Sequence, residues 1–296
     1  MSPPLLIADV PWLLYRSFFG LPKSIVGADG EPVNALLGTV NAILAVVDAR
    51  PQRSVRGVVA CMGAEEAAYR VRLYAGYHAQ REPMPKELAW QWQRAPALLG
   101  SLGWTAATSA DLEADDVMFS FALAEQERNG RALLLTGDRD LYGAVSERVA
   151  VIDLRKGSEH SEVGPEQVRE RYGVDPAQVA DFIALRGDPS DGLPGAPGIG
   201  AKTAAELLRA HHTLEGALAA AKSDTGMRPR IAKALLENEQ LLLSFREIAT
   251  LQRIEVEPAP DRATDFAAGA RAAGALGMRR LAERLSERAN PLAAGR

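Results

Sequence analysis

Acidic residues fall at four places in this chain where a folded backbone would present them to a ligand. Asp9 ends the apolar run Leu5-Leu6-Ile7-Ala8, and Asp138 and Asp140 close another in Thr136-Gly137-Asp138-Arg139-Asp140. Glu113-Ala114-Asp115-Asp116 opens a stretch of helical periodicity. That spacing puts Glu113 and Asp116 on one face and turns Asp115 aside by about 100°. Asp188 and Asp191 lie in the glycine-rich segment Gly187-Asp188-Pro189-Ser190-Asp191-Gly192. Singly, each group has an ordinary role. Acids at a helix start favour the macrodipole and cap free amides, and Asp-x-Asp or Asp-Pro-Ser-Asp is common in turns. Together they predict a rim of carboxylates whose mutual repulsion calls for cations. Oxygen ligands without His or Cys suit Mg²⁺ or Mn²⁺ rather than zinc. Two such ions about 4 Å apart activate water and stabilise a leaving oxygen in phosphodiester cleavage.

The elements that must position these acids are legible in outline. Residues 5–8, 57–61 and 132–136 read as buried strands, separated by helical periodicity over 33–49, 88–102 and 113–128. Strands alternating with helices imply an α/β fold, a parallel sheet covered on both faces, with sites beyond the carboxyl ends of its strands. From about Gly164 the texture becomes all-helical, over 165–172, 176–186, 202–211, 214–221 and 229–239, with a Gly/Pro-dense break at 187–200. The expected division is a core at 1–163, a helical module at 164–260, and an Ala/Arg-rich helical tail at 261–296.

Composition narrows the class. The 296 residues, 47% hydrophobic and 24% charged, are enough for a core domain plus a smaller one. No run approaches 18 apolar residues, so no membrane helix is expected. A single cysteine, Cys61, excludes an intrachain disulfide and a cysteine-rich zinc site. The N-terminus has no basic leader, so a cytoplasmic location is expected. The net charge of −4 does not favour nucleic acid, but a cluster of metal-binding acids masks a basic surface elsewhere.

Two segments supply such a surface. Tyr69-Arg70-Val71-Arg72-Leu73-Tyr74-Ala75-Gly76-Tyr77-His78-Ala79-Gln80-Arg81 interleaves arginines with tyrosines. Guanidiniums can clamp phosphates while rings stack on unpaired bases; the plainer reading is an amphipathic helix with a solvated basic face. Gly195-Ala196-Pro197-Gly198-Ile199-Gly200-Ala201-Lys202-Thr203 reads as a helix-hairpin-helix turn. Its glycines (Gly195, Gly198, Gly200) admit close backbone approach, and the amides of the following helix, with Lys202 and Thr203, can hold a phosphate. The tail arginines Arg271, Arg279, Arg280, Arg284 and Arg288 recur near helical spacing as a solvated face. His160, His211 and His212 show no partner spacing and receive no role.

In order and spacing, Tyr15-Arg16-Ser17-Phe18-Phe19, Glu113-Ala114-Asp115-Asp116-Val117, Thr136-Gly137-Asp138-Arg139-Asp140-Leu141 and Gly187-Asp188-Pro189-Ser190-Asp191-Gly192-Leu193-Pro194-Gly195 resemble the bacterial 5′-3′ exonuclease/flap endonuclease family. That family includes the N-terminal nuclease domain of DNA polymerase I. The resemblance implies a PIN-like α/β core followed by a helix-three-turn-helix module, in a stand-alone, monomeric form. It implies Asp9, Glu113, Asp115, Asp116, Asp138 and Asp140 as catalytic residues, and these with Asp188 and Asp191 as ligands of two or more Mg²⁺ or Mn²⁺ ions. It also implies K⁺ at the helix-hairpin-helix turn, and an arch at about 64–95 in which Arg70, Tyr77, His78 and Arg81 guide the 5′ strand. The implied partners are branched or flapped DNA, RNA–DNA hybrid and a separate DNA polymerase, at the nucleoid.

The chain departs from the family's pattern in three places. An aspartate expected past the second strand falls at Gly63, with Glu65 and Glu66 the nearest acids. Val10-Pro11-Trp12 stands where a glycine and a small polar residue are usual, and His78 where a basic residue is expected. The missing aspartate leaves as the alternative a weak or inactive branched-DNA-binding paralogue of the same fold. A PIN-type ribonuclease is disfavoured, because it needs no helical module with a phosphate-holding turn.

Overall fold

The computed structural model describes residues 2–48, 55–154, 161–223 and 226–290; His160 and the end of the tail, 291–296, lie outside them. Six strands form one sheet in the order β3-β2-β1-β4-β5-β6. They are β1 (Leu5–Asp9), β2 (Gly57–Met62), β3 (Thr105–Thr108), β4 (Ala132–Leu135), β5 (Val149–Asp153) and β6 (Ser161–Val163). The first five pair in parallel, and β6 closes the edge antiparallel to β5. The predicted strands are β1, β2 and β4, the apolar centre. The other three are additions to that reading: Thr-Ala-Ala-Thr of β3 has neither bulk nor branched side chains enough to signal a strand, and it lies half exposed at the edge.

Residues of β1 point alternately to two separate cores. Leu5 and Ile7 face α5 (Ala114–Glu127) and the helical module; Leu6 and Ala8 face α1 (Val10–Gly20), α2 (Asn34–Asp48) and α4 (Lys86–Ser101). Between β2 and α4 the chain forms only a short helix, α3 (Ala68–Leu73), and then turns through residue 80. The Tyr/Arg segment is therefore not one long helix.

The module contains α6 (Pro165–Tyr172), α7 (Val179–Arg186), α8 (Ala201–His211), α9 (Leu214–Lys222), α10 (Pro229–Glu237) and α11 (Glu239–Ala249). Two predicted boundaries shift. The stretch 176–186 begins as a 3₁₀ turn, and 229–239 breaks at Asn238, where α11 starts. That helix buries Leu242, Phe245 and Ile248 in the core shared with α5.

From α11 a strap, 250–265, crosses the sheet to its other face. Gln252 N donates to Asp116 Oδ1 (2.7 Å), Ile254 N to Ser120 Oγ (3.0 Å), and Arg262 N to Arg56 O (2.8 Å). Asp265 N donates to Leu102 O (2.8 Å), and its carboxylate caps α12 (Phe266–Ala275) by accepting from Ala268 N (2.8 Å). With α13 (Arg279–Ala289) this helix forms a hairpin that buries Ala270, Ala273, Met278, Leu281 and Leu285 in the second core. The two leucines contribute about 1.5–3 kcal/mol each. The tail arginines are not uniformly solvated. Arg288 pairs with Asp48 and lies 4.0 Å over the Phe266 ring, and Arg284 donates to Asn41 Oδ1 (2.6 Å), while Arg271, Arg279 and Arg280 are exposed.

Candidate active site

β1 lies where the strand order reverses, with β2 on one side and β4 on the other. Crevices form at the carboxyl ends of such strands. Asp9 is the last residue of β1 and the N-cap of α1. Its Oδ1 accepts from Trp12 N (3.0 Å) and its Oδ2 from Thr136 Oγ1 (2.6 Å). Buried Thr136 in turn accepts from Asp138 N (2.9 Å), and Asp138 Oδ1 accepts from Asp140 N (2.9 Å). One hydroxyl thus fixes the acid after β1 relative to those after β4, a role that no local pattern around Thr136 signals.

At the start of α5 the helical-face reading is reversed. Asp115 lines the cleft, whereas Asp116 is fully buried behind it. Arg70 explains the reversal. Its buried guanidinium lies 3.1 Å from Glu113 Oε2, 3.3 Å from Asp115 Oδ2 and 3.0 Å from Asp116 Oδ1, and its Nε donates to Ile248 O (3.1 Å). Burial disfavours its charge, but Asp115 and Glu113 outweigh that and raise its pKa. Glu113 also accepts from Ala67 N (2.9 Å) and from Tyr77 Oη (3.0 and 3.1 Å). Arg70 and Tyr77, expected as DNA contacts, therefore engage the protein's own acids, because both are buried where carboxylates are the nearest polar groups.

His78 is a similar correction. It is buried, stacks on Tyr77 with centroids 3.8 Å apart, and its Nε2 lies 3.2 Å from Asp191 Oδ1. Arg81 donates to the same oxygen (3.1 Å) but is half exposed, so of the four it is the one that reaches into solvent. Asp191 lines the cleft with Asp9, Glu113, Asp115, Asp138 and Asp140. Asp188 does not; Arg186 Nη2 donates to it at 3.1 Å.

The cleft holds about 440 Å³, and its lining also includes the rings of Trp12, Tyr15, Phe19, Tyr77 and Trp92 and the guanidiniums of Arg70 and Arg81. Phe19 is 69% exposed, an unusual place for a large apolar ring. Tyr15 Oη donates to Glu65 Oε1 (2.9 Å), and burial, then that bond, raises its pKa to about 12. The position of the missing aspartate is closed sterically. A Cβ on Gly63 would lie 2.5 Å from Leu112 O, Glu113 C and Ala114 N, all backbone. Glu65 is the acid in this stretch that reaches the cleft lining, already bound by Tyr15.

The acids carry the electrostatic signature of crowding. Burial raises Asp9 to about 6, against hydrogen bonds from Thr136 and Trp12 that lower it. Burial, then Asp115, raises Asp116 to about 7. Asp138, open to the cleft but walled by protein, rises to about 7, and Asp140 lies well above the usual carboxylate range through burial and then Asp138. Asp116 Oδ2 is buried without a hydrogen-bond partner. Among the described residues no three of these side chains already converge as a finished cage. The donor set nonetheless fits a hard cation that keeps water and substrate oxygens among its ligands, as Mg²⁺ does.

A pH dependence follows. Buried Asp9 and Asp116, raised from 3.8 to about 6 and about 7 on folding, bind protons more tightly in the folded state, so stability falls as pH rises through that window. In EDTA, Tm is expected to drop by roughly 5–10 °C between pH 5 and pH 8. Mn²⁺ should raise it mainly at pH 8. Differential scanning fluorimetry checks this; a Tm that climbs with pH in EDTA would contradict the crowding.

The predicted helix-hairpin-helix turn holds Gly195 and Gly198 at φ +68° and +78°. A Cβ on Gly195 would meet Gly187 N at 2.3 Å, so glycine is required there. Ala196 and Ile199 anchor the turn, leaving Gly198, Gly200 (the N-cap of α8) and Lys202 exposed and Thr203 half-buried. Exposed Arg230, whose guanidinium would lie 3.3 Å from a Gly198 Cβ, adds a cation that local sequence does not single out.

Comparisons with known proteins agree with this architecture. The chain is 37% identical to a Streptomyces coelicolor 5′-3′ exonuclease over 289 residues, 92% of this chain and 93% of that one. It is 38% identical to a Mycobacterium tuberculosis 5′-3′ exonuclease over 243 residues, 75% and 74% of the two chains. It is also 35% identical to Mycobacterium leprae DNA polymerase I, covering 84% of this chain and 27% of the polymerase, so it spans about a quarter of such relatives. The phage T5 D15 protein, co-crystallised with metal ions, shares the fold at TM-score 0.68 and 17% identity, over 98% of this chain and 99% of that one. The Rad2 catalytic core in complex with DNA substrate shares it at TM-score 0.65 and 14% identity, over 98% and 92%. No helix among the described residues is long and apolar enough to cross a membrane. The 5′-3′ exonuclease N-terminal resolvase-like domain matches residues 4–173 and the C-terminal SAM fold residues 174–265, and with both halves present in order the chain belongs to the 5′-3′ exonuclease family.

Proposed function

We propose that the chain is a structure-specific 5′ nuclease that cuts flapped or branched DNA near the junction, and primer RNA in RNA–DNA hybrid, during replication and repair. The observation that carries this reading is the convergence of Asp9, Glu113, Asp115, Asp138, Asp140 and Asp191 on one cleft that Trp12, Tyr15, Phe19 and Trp92 also line. Mg²⁺ or Mn²⁺ ions, held by Asp9, Glu113 and Asp115 on one side and Asp138, Asp140 and Asp191 on the other, with Asp188 beyond, would supply an activated water and neutralise charge on the leaving oxygen. Asp116 positions Arg70, which holds Glu113 and Asp115. Tyr15, Phe19, Trp12 and Trp92 offer stacking surfaces to unpaired bases, and Arg81 a phosphate contact at the rim. The turn at 195–203, with Lys202 and Arg230, grips duplex backbone without reading sequence, and its carbonyls suit K⁺. The protein acts as a monomer at the nucleoid, on substrates left by a separate DNA polymerase.

The test is cleavage of an end-labelled 5′-flap DNA in Mg²⁺ or Mn²⁺ beside an Asp138→Ala variant and a single-stranded RNA. Cutting at the junction is expected, reduced at least about a hundredfold in the variant, with the RNA spared. One observation favours a second reading: position 63 offers no carboxylate and no room for one, which suits a branched-DNA-binding protein of weak activity. Tight flap binding without cutting in either metal would decide for it.

A further inference from the structure

A second hollow, of about 530 Å³, opens beside the acidic cleft and shares Arg81 with it. Its lining is of the opposite character. Two guanidiniums (Arg81 and Arg186), the His78 imidazole and the Ser190 hydroxyl line it, and no carboxylate does among the described residues. The acids stand behind the cations and orient them: Arg186 Nη2 donates to Asp188 Oδ2 and Arg81 Nη2 to Asp191 Oδ1, each at 3.1 Å. Arg186 is further fixed by its Nε donating to Gly187 O (3.0 Å) and by the Tyr172 and Phe182 rings 5.7 and 5.2 Å from its Cζ. Their remaining N–H groups have no acceptor among the described residues.

His78 adds an independent sign. It is 6% exposed, its backbone is left-handed at φ +54°, and its Nε2 lies on Asp191, yet its Nδ1 is buried without a partner. A non-glycine residue held in that region is strained, and such strain persists where the surroundings over-determine it. An orphaned buried nitrogen is likewise uncommon and calls for a ligand or water.

Two pre-oriented guanidiniums, each with N–H groups left over from its carboxylate contact, match the oxygens of a phosphate. We propose that this hollow binds a phosphate group, and that on a nucleic-acid substrate it takes the 5′-terminal phosphate of the strand that reaches past Arg81. The ligand class rests on the nuclease reading above, but the test uses binding alone, so the two can fail separately. The full chain in EDTA is titrated into 3′-fluorescein single strands that carry either a 5′-phosphate or a 5′-hydroxyl, at matched ionic strength, and anisotropy is read.

The phosphorylated strand is expected to bind about tenfold tighter, the worth of one charge-assisted contact. Arg186→Gln should remove that preference. Because Arg186 also packs on two rings, Ser190→Glu at an exposed position serves as the second variant and should remove it too, with Tm unchanged. Inorganic phosphate at tens of millimolar then separates two sources. Competition means that the hollow accepts free phosphate, and a surviving preference without competition means that it needs the strand; both support a phosphate site. Equal binding of the two strands, or a preference that survives in both variants, would overturn it.

Discussion

Replacing Gly63 by aspartate, the change that would supply the absent strand-end carboxylate, is expected to lower flap cleavage at least about a hundredfold rather than raise it. The three atoms nearest the built Cβ belong to the backbone of Leu112, Glu113 and Ala114, at 2.5 Å. Backbone cannot rotate away as a side-chain tip can, so the segment that leads into α5 must shift. Glu113 caps that helix and takes bonds from Ala67, Tyr77 and Arg70, so the shift carries it out of the cleft wall. Overpacking of this kind costs about 1–3 kcal/mol. Gly63→Ala should lose nearly as much as Gly63→Asp, since the first carbon does the damage. Ala64→Asp, one residue on and already in the cleft lining, should be tolerated. Flap cleavage rates and Tm for the three variants decide the matter, and a gain of activity in Gly63→Asp would show that the segment is not fixed by packing.

Arg70→Met is expected to destabilise the metal-free protein by about 3–5 kcal/mol, because it leaves three carboxylates crowded around a site from which their counter-charge has gone. For a chain of this size that is a fall in Tm of roughly 10 °C. Arg70→Lys should recover only part of it. A single ammonium cannot reach Glu113, Asp115 and Asp116 through a planar fork while also bonding Ile248 O. Mn²⁺ should restore more stability to Arg70→Met than to the wild type, since a cation then meets unneutralised charge. Thermal melts with and without metal test both points. A methionine variant as stable as the parent in EDTA would mean that the three acids are not ionised together.

The acids themselves are legible in the sequence because they follow apolar runs, and a buried strand that ends in aspartate brings its charge to the rim of the sheet. Their orientation is not. Helical spacing predicts Asp116 beside Glu113 and Asp115 aside, yet the partner that decides the matter, Arg70, lies some 45 residues away and is invisible to any local period. The same holds for Thr136, an inconspicuous side chain that joins Asp9 to Asp138. Strands β3 and β6 leave little trace in the sequence because strands at the edge of a sheet need little hydrophobic bulk. Strand β5, by contrast, carries the β-branched apolar run Val149-Ala150-Val151-Ile152 of a buried strand and is legible there. The helical module is legible nearly whole, since each of its amphipathic stretches has short turns around it. Its α11 is the exception, because Asn238 interrupts the periodicity where two helices meet.

The hairpin of α12 and α13 has a consequence for how the protein comes to exist. It packs on α4 and pairs with α2, closing the core to which Leu6, Val58 and Leu133 also point, so that core lacks its outer layer until residues near Leu285 have been made. At about 5–20 residues per second, roughly 15–60 s separate the synthesis of β1 from that of its last covering helix. For that interval the nascent chain presents an apolar core with its outer layer missing, the kind of surface that chaperones shield and neighbouring chains find. The acidic rim, tied to Gln252 through Asp116, cannot be assembled much earlier. A ribosome-bound fragment that stops before the strap would hold nearly every acid of the cleft and still lack the site.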